Sequence, residues 1–155
     1  MPIDESDLDW ETYDKPETTS RRKELGAAAE TDQLGCSLYE LPPGEQSWPY
    51  HYHTANEEAI YVLAGTGQLR TPDGTEAISA GTFCSFPADE SGGHRVVNDS
   101  DDPLRYLAIS TMNEPDVTIY PEKEMFGVFV GSPPGGRKDR SFEGYYPMDA
   151  ETEYC

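Results

Sequence analysis

Only three histidines occur in the 155-residue chain, His51, His53 and His94. His51 and His53 are separated by one residue, and side chains two apart on a strand point to the same face, so both imidazoles can reach one point. Glu58 follows at the head of an apolar, β-rich run and can supply a carboxylate oxygen. Glu57, its neighbour, is the competing carboxylate. His94 comes 41 residues after His53, directly behind Gly92-Gly93. Three imidazoles and one carboxylate form a hard-to-intermediate ligand set. It suits one divalent transition metal, Mn, Fe, Co, Ni, Cu or Zn, without selecting among them. A set without thiolate argues against a structural zinc site. Four protein ligands around an octahedral ion leave two positions for water, dioxygen or a chelating substrate. Singly, each residue has an ordinary explanation: a polar strand pair, a solvated acid, a loop histidine. Together they use every histidine of the chain.

The elements around these residues read as strands. From Leu34 onward the hydrophobic period is two. Gly35–Leu41, Tyr50–His53, Glu58–Ala64, Gln68–Thr71, Glu76–Ser79, Thr82–Phe86, His94–Asn98 and Leu104–Thr111 are short candidate strands. Between them stand Pro42-Pro43-Gly44, Gly65-Thr66-Gly67, Pro72-Asp73-Gly74, Gly81, Pro87 and the loop Asn98–Pro103. Proline presets φ and glycine supplies a positive φ, so these are turns with a mechanism. Short, evenly spaced strands with almost no helical pattern predict an all-β sandwich or barrel. Residues 1–33 are polar and acidic, and read as an extended N-terminal arm in which Ala27–Ala29 has room for one turn of helix. The trio Arg21-Arg22-Lys23 reads as solvated charge. Residues 34–111 hold the barrel core. Residues 112–155 form a C-terminal extension with further extended pieces at Val117–Tyr120 and Phe126–Val130.

Asp and Glu number 30 against 11 Lys and Arg, a formal net charge of −19. Such a surface repels phosphate backbones and anionic lipid, which excludes nucleic-acid and membrane-surface binding as expected functions. The acids run from Asp4 to Glu153, so a single disordered acidic tail does not account for them. A solvated acidic shell, of the kind that keeps proteins soluble in high salt, is the expectation, with a halophilic host. No apolar run approaches the ~20 residues needed to span a bilayer, and the polar opening to Lys23 has no signal-peptide pattern. Cys36, Cys84 and Cys155 are odd in number and match no zinc or redox spacing. The expectation is a cytoplasmic protein with free thiols, Cys84 as a small buried hydrophobe and Cys155 exposed at the terminus.

The spacing Gly44-x6-His51-x-His53-x4-Glu58-x6-Gly65, with its ending Glu58-Ala-Ile-Tyr-Val-Leu-Ala-Gly65, resembles the first cupin motif. Gly81-x5-Pro87-x6-His94-x3-Asn98 resembles the second. Two departures are visible. The gap from Gly44 to His51 is one residue longer than usual, and that from Pro87 to His94 is about two longer, as in similar stand-alone cupins. The resemblance covers roughly residues 34–111. It implies a conical β-barrel, or double-stranded β-helix of jelly-roll type, with His51, His53, Glu58 and His94 as metal ligands inside its wider end. It also implies a tendency to homodimerise, for which the two extensions would be suited.

Fold and metal do not fix a reaction. The first functional expectation is a metal-dependent enzyme acting on a small oxygenated molecule, a sugar derivative, carboxylic acid or diol. The alternatives are a non-catalytic ligand-binding or sensor protein and a metal-stapled structural barrel. Tyr50, Tyr52, Gln68, Arg70 and Tyr106 stand close enough in sequence to serve as acid, base or anchor, and none is assigned a role.

Overall fold

The computed structural model describes residues 1–136 and 139–154. Thirteen strands run in chain order: β1 (Glu11–Lys15), β2 (Thr18–Glu24), β3 (Leu34–Leu41), β4 (Tyr52–His53), β5 (Glu58–Ala64), β6 (Thr66–Thr71), β7 (Gly74–Ser79), β8 (Phe83–Phe86), β9 (Arg95–Val97), β10 (Leu104–Thr111), β11 (Asp116–Tyr120), β12 (Met125–Val130) and β13 (Phe142–Pro147). One short helix, α1 (Leu25–Ala28), joins β2 to β3. The strands form a six-stranded sheet in the order β1-β2-β3-β10-β5-β8, a four-stranded sheet β13-β12-β11-β4 and a three-stranded sheet β7-β6-β9. No helix among the described residues is long and apolar enough to cross a membrane.

The segment read from sequence as an N-terminal arm contributes two strands. β1 and β2 form a hairpin, and β2 pairs with β3 through Arg22↔Tyr39 and Glu24↔Ser37. The basic trio is not solvated charge. Arg21 meets Glu40 at 2.6 Å, Lys23 meets Glu5 at 2.6 Å, and Arg22 bonds Glu11 and Glu24. Trp10 lies against Arg21, Lys23 and Arg105, with their cationic groups 4.2, 4.7 and 5.7 Å from its ring centroid. Three cations around one indole fasten the N-terminal residues to the sheet.

Register and the two-residue period explain how one face of the six-stranded sheet makes both a core and a site. Across β10 the paired rows are Leu104↔Leu41, Tyr106↔Tyr39 and Val62, Ala108↔Ser37 and Ile60, and Ser110↔Gly35 and Glu58. One end of this face is therefore aliphatic and the other small or polar. The aliphatic end packs with Leu69, Ile78 and Val96 of the three-stranded sheet and with Phe86 into a core whose members are 0–4% exposed. Burying such side chains stabilises the fold by roughly 1.5–3 kcal/mol each. Cys84 is half-buried and packs against this core, while Cys36 is half-buried on β3. Cys155 lies outside the described residues. The polar end of the face opens towards β4 and β11, and the histidines gather there.

Candidate metal centre

His51 and His94 face each other across an isolated antiparallel bridge, exchanging His51 N–H to His94 O at 3.3 Å and His94 N–H to His51 O at 3.0 Å. Directly opposed residues send their side chains to the same side of a ladder, and the two rings are 5.0 Å apart between centroids. Gly92 and Gly93 make this approach possible. A methyl group on Gly92 would collide with the Pro87 carbonyl, and one on Gly93 with the Tyr50 hydroxyl. The His94 ring then stacks on Phe86, 3.7 Å between centroids, and is buried.

Glu58 is in phase with Ile60 and Val62, the inward residues of β5, whereas Glu57 is exposed. The competition between the two carboxylates is thus decided by strand period. Glu58 Oε1 lies 2.6 Å from His53 Nε2 and 4.0 Å from His51 Nε2. The ligand atoms of His51, His53 and Glu58 all fall within 4.8 Å of one another, a group able to hold one metal ion. His94 stands outside this trio of mutually close atoms and packs against it through His51.

The protons of the histidines follow from their partners. His51 Nδ1 faces the Pro49 carbonyl at 2.8 Å, His94 Nδ1 faces the Gly92 carbonyl at 2.9 Å, and His53 Nδ1 faces the Asp116 carboxylate at 2.6 Å. Each partner only accepts, so each Nδ1 is the donor and each neutral ring keeps its lone pair on Nε2. Glu58 Oε1 is meanwhile a buried acceptor without a hydrogen-bond partner among the described residues: His53 comes close without the alignment a hydrogen bond needs. One orphaned buried acceptor, Glu58 Oε1, beside the Nε2 atoms of His51 and His53 fits a cation, and the residues present fit a divalent one.

The electrostatics without a metal agree. Burial holds His51 near neutrality, its pKa lowered to about 3, with the charges of His94 and His53 adding to the effect. Burial likewise lowers His94. Burial also opposes charge on His53, but Glu58 and Asp116 outweigh it and raise the imidazole to about 10. For Glu58, burial acts upward and is overcome by His53, which brings the carboxyl down to about 2. A single proton on His53 compensates the two flanking carboxylates where a metal would otherwise do so.

The trio lines a cavity of about 430 Å³. Its walls are Tyr39 and Ser37 of β3, Tyr13 and Arg22 of the N-terminal hairpin, Trp48, and Tyr120, Phe129 and Tyr145 of the C-terminal strands. Two ion pairs reach it, Arg22–Glu24 and Arg140–Glu143, the latter at 2.9 Å. None of Tyr50, Tyr52, Gln68, Arg70 and Tyr106 lines it. Tyr106 is in the core, stacked on Tyr39 at 5.5 Å, and Arg70 pairs with Glu122 at 2.7 Å over the Tyr50 ring. Sequence reasoning missed Asp116, Tyr120 and Arg22. For Asp116 the available signal was an acid opening the strand Asp116-Val-Thr-Ile-Tyr120, in phase with Thr118 and Tyr120.

Comparisons with known proteins agree with this architecture. Residues 37–110 match the family described as the cupin domain. A search of the curated proteins finds no match. Among solved structures, a sugar phosphate isomerase of Silicibacter pomeroyi, from a cupin superfamily, superposes with a TM-score of 0.82 at 23% identity, over 97% of this chain and 94% of that one. A protein of Acidithiobacillus ferrooxidans, provisionally named a sugar phosphate isomerase, gives 0.77 at 28% identity, over 89% of this chain and 82% of its own. The polyketide cyclase RemF of Streptomyces resistomycificus gives 0.61 at 23% identity, over 72% and 78%.

Proposed function

The chain belongs to the cupin superfamily, and from that premise we propose that it is a metal-dependent enzyme acting on a small oxygenated molecule, a sugar derivative before the other candidates. The observation that carries this reading is the cluster of His51, His53 and Glu58, with Glu58 Oε1 left unsatisfied as an acceptor, opening on a cavity large enough for a small molecule. His94 is the proposed fourth ligand, brought in by its bridge to His51. A divalent ion held by these groups would supply Lewis-acid polarisation of a carbonyl or hydroxyl oxygen.

The remaining residues suit a polyhydroxylated ligand. Trp48 borders the cavity and supplies aromatic surface of the kind that packs on a ring's C–H groups. Arg22 with Glu24 and Arg140 with Glu143 place donors beside acceptors, the pattern a row of hydroxyls can satisfy. The Tyr120 ring lies 5.7 Å from that of His51, and burial, with Tyr145 hydrogen-bonded to its hydroxyl, raises its pKa far above the phenolic range. It therefore keeps its proton and serves as a hydrogen-bond donor rather than a base. The provisional naming of the Acidithiobacillus ferrooxidans protein favours a sugar derivative within this class.

The test has two parts. Elemental analysis of protein purified without chelator should give about one metal per chain, lost in a His51→Ala, His53→Ala variant. Metal-loaded protein should then convert or bind members of a panel of aldoses, ketoses and their phosphates, followed by proton NMR in D₂O, while chelated protein should not. Equal metal in both proteins, or no response to any panel member by loaded protein, would refute the reading.

A further inference from the structure

We propose that Asp116 is a positioning residue for the metal centre: its carboxylate fixes His53 in the tautomer whose Nε2 is free for the ion. The inference rests on the metal-site reading above and concerns what sets that site up. It moves part of the control of metal binding out of the matched segment 37–110 and into strand β11.

His51 and His94 solve the same problem locally. Each gives its Nδ1–H to the backbone carbonyl two residues before it, Pro49 and Gly92. His53 has no such option, because the carbonyl two residues before it belongs to His51 and is taken by the His94 N–H at 3.0 Å. A distant side chain must do the work. β11 pairs with β4 so that Thr118 stands opposite His53, and Asp116, two residues earlier on the same face, lies diagonally across.

Asp116 is built to accept. It is 0% exposed. Oδ1 takes the Ala55 N–H at 3.0 Å, and Oδ2 takes the Thr118 hydroxyl at 2.9 Å and His53 Nδ1 at 2.6 Å. A buried carboxylate survives only with donors arranged around it, and here three converge. The Thr118 hydroxyl also lies 3.1 Å from His53 Nδ1, the longer of its two contacts; the ionised carboxylate, at 2.6 Å, only accepts, so its partner on the imidazole side must be a donor. That forces the proton onto Nδ1 and leaves Nε2 aimed at Glu58.

Asp116→Asn separates this role from mere support of the fold. The amide oxygen can still take the Ala55 N–H, which turns the NH₂ towards His53. Nδ1 then has to accept, and the ring proton moves to Nε2, into the place of the ion. The experiment uses full-length wild type, Asp116→Asn and, as a control that keeps the Asp116–His53 contact, Thr118→Val. Zn(II) affinity is measured by competition with a chromophoric chelator, metal-free stability by urea unfolding, and the His53 tautomer by imidazole ¹⁵N NMR. Asp116→Asn is expected to weaken Zn(II) binding about 10–100-fold, the usual effect of losing such an outer partner. The urea transition should remain cooperative, and His53 should report a bare Nδ1. Thr118→Val should lose less affinity than Asp116→Asn. Wild-type Zn(II) affinity in Asp116→Asn, or a loss without a tautomer change, overturns the proposal. If Asp116→Asn does not fold, the zinc-loaded wild type decides: a protonated Nδ1 on His53 supports the assignment and a bare one overturns it. If the wild type binds no Zn(II), the metal reading fails by itself, and ¹⁵N spectra of the metal-free proteins recorded at alkaline pH, where the His53 ring holds a single proton, still judge the tautomer claim.

Discussion

His53 lies between Glu58 and Asp116, each 2.6 Å away, and this governs how the site exchanges protons for metal. With its pKa raised to about 10, the imidazole carries a second proton at neutral pH when no ion is bound. A metal must displace that proton. Calorimetric titration of metal at pH 7.5 in two buffers of different ionisation enthalpy should therefore show release of about one proton, and affinity should fall as pH falls. Pure carboxylate binding without proton release would sink this account. The same groups set stability in chelator. The raised His53 stabilises the fold fully below 6.5, its ordinary value, and that stabilisation is lost as pH climbs through about 10. His51 acts in the other direction: lowered to about 3, it costs stability as pH drops below 6.5. The urea midpoint of metal-free protein should fall on both sides of that value, and a midpoint still rising from pH 7 to 9.5 would contradict the His53 assignment. Between the two adjacent carboxylates, Glu58→Gln should weaken metal binding by at least about tenfold, and Glu57→Gln should leave it unchanged, in the same competition assay.

At the scale of elements, the approach of the His94 strand to His51 is limited by Gly92. Gly92→Ala has no room beside the Pro87 carbonyl, so the loop must shift and carry His94 with it. Overpacking of this kind costs about 1–3 kcal/mol, and the bound metal should fall in the same variant. Unfolding curves and elemental analysis read both; full stability with full metal content would show that the glycine is dispensable. This part of the molecule is largely legible in the sequence. β3 and β5 to β12 announce themselves by apolar alternation between glycine and proline turns, and the phase of Ile60 and Val62 selects Glu58. β1 and β2 do not. Glu-Thr-Tyr-Asp-Lys and Thr-Thr-Ser-Arg-Arg-Lys-Glu alternate partners rather than hydrophobicity, because their inward residues face a polar cavity and their outward ones pair with acids. β13 escapes for a similar reason, with a burial pattern that is exposed at nearly every position. Asp116 is hidden because it is one of 30 acids, and only the pairing of β11 with β4 marks it out.

For the molecule as a whole, the formal charge of −19 opposes the compact state. Arg21, Arg22, Lys23, Arg70, Lys123 and Arg140 are already paired with carboxylates, so they neutralise particular neighbours rather than the excess. The excess acids are left to repel one another over distances that salt screens, the Debye length being about 10 Å at 0.1 M and about 3 Å at 1 M. The melting temperature of chelated protein should therefore rise as NaCl is raised from 0.05 to 1 M, the ion pairs losing less than the general repulsion. A flat or falling curve would mean that the pairs, not the surplus, dominate.

The two tryptophans lie on opposite sides of one sheet: Trp48 borders the cavity edge-on to Tyr13, 5.1 Å between centroids, and Trp10 rests under Arg21, Lys23 and Arg105. The chain thus contains its own pair of optical probes, one wetted by whatever enters and one indifferent to it. In a Trp10→Phe variant the remaining emission becomes a direct gauge of occupancy. Quenching by a paramagnetic ion, or a spectral change when a colourless carbohydrate is added, would then be readable with no label attached and no turnover required.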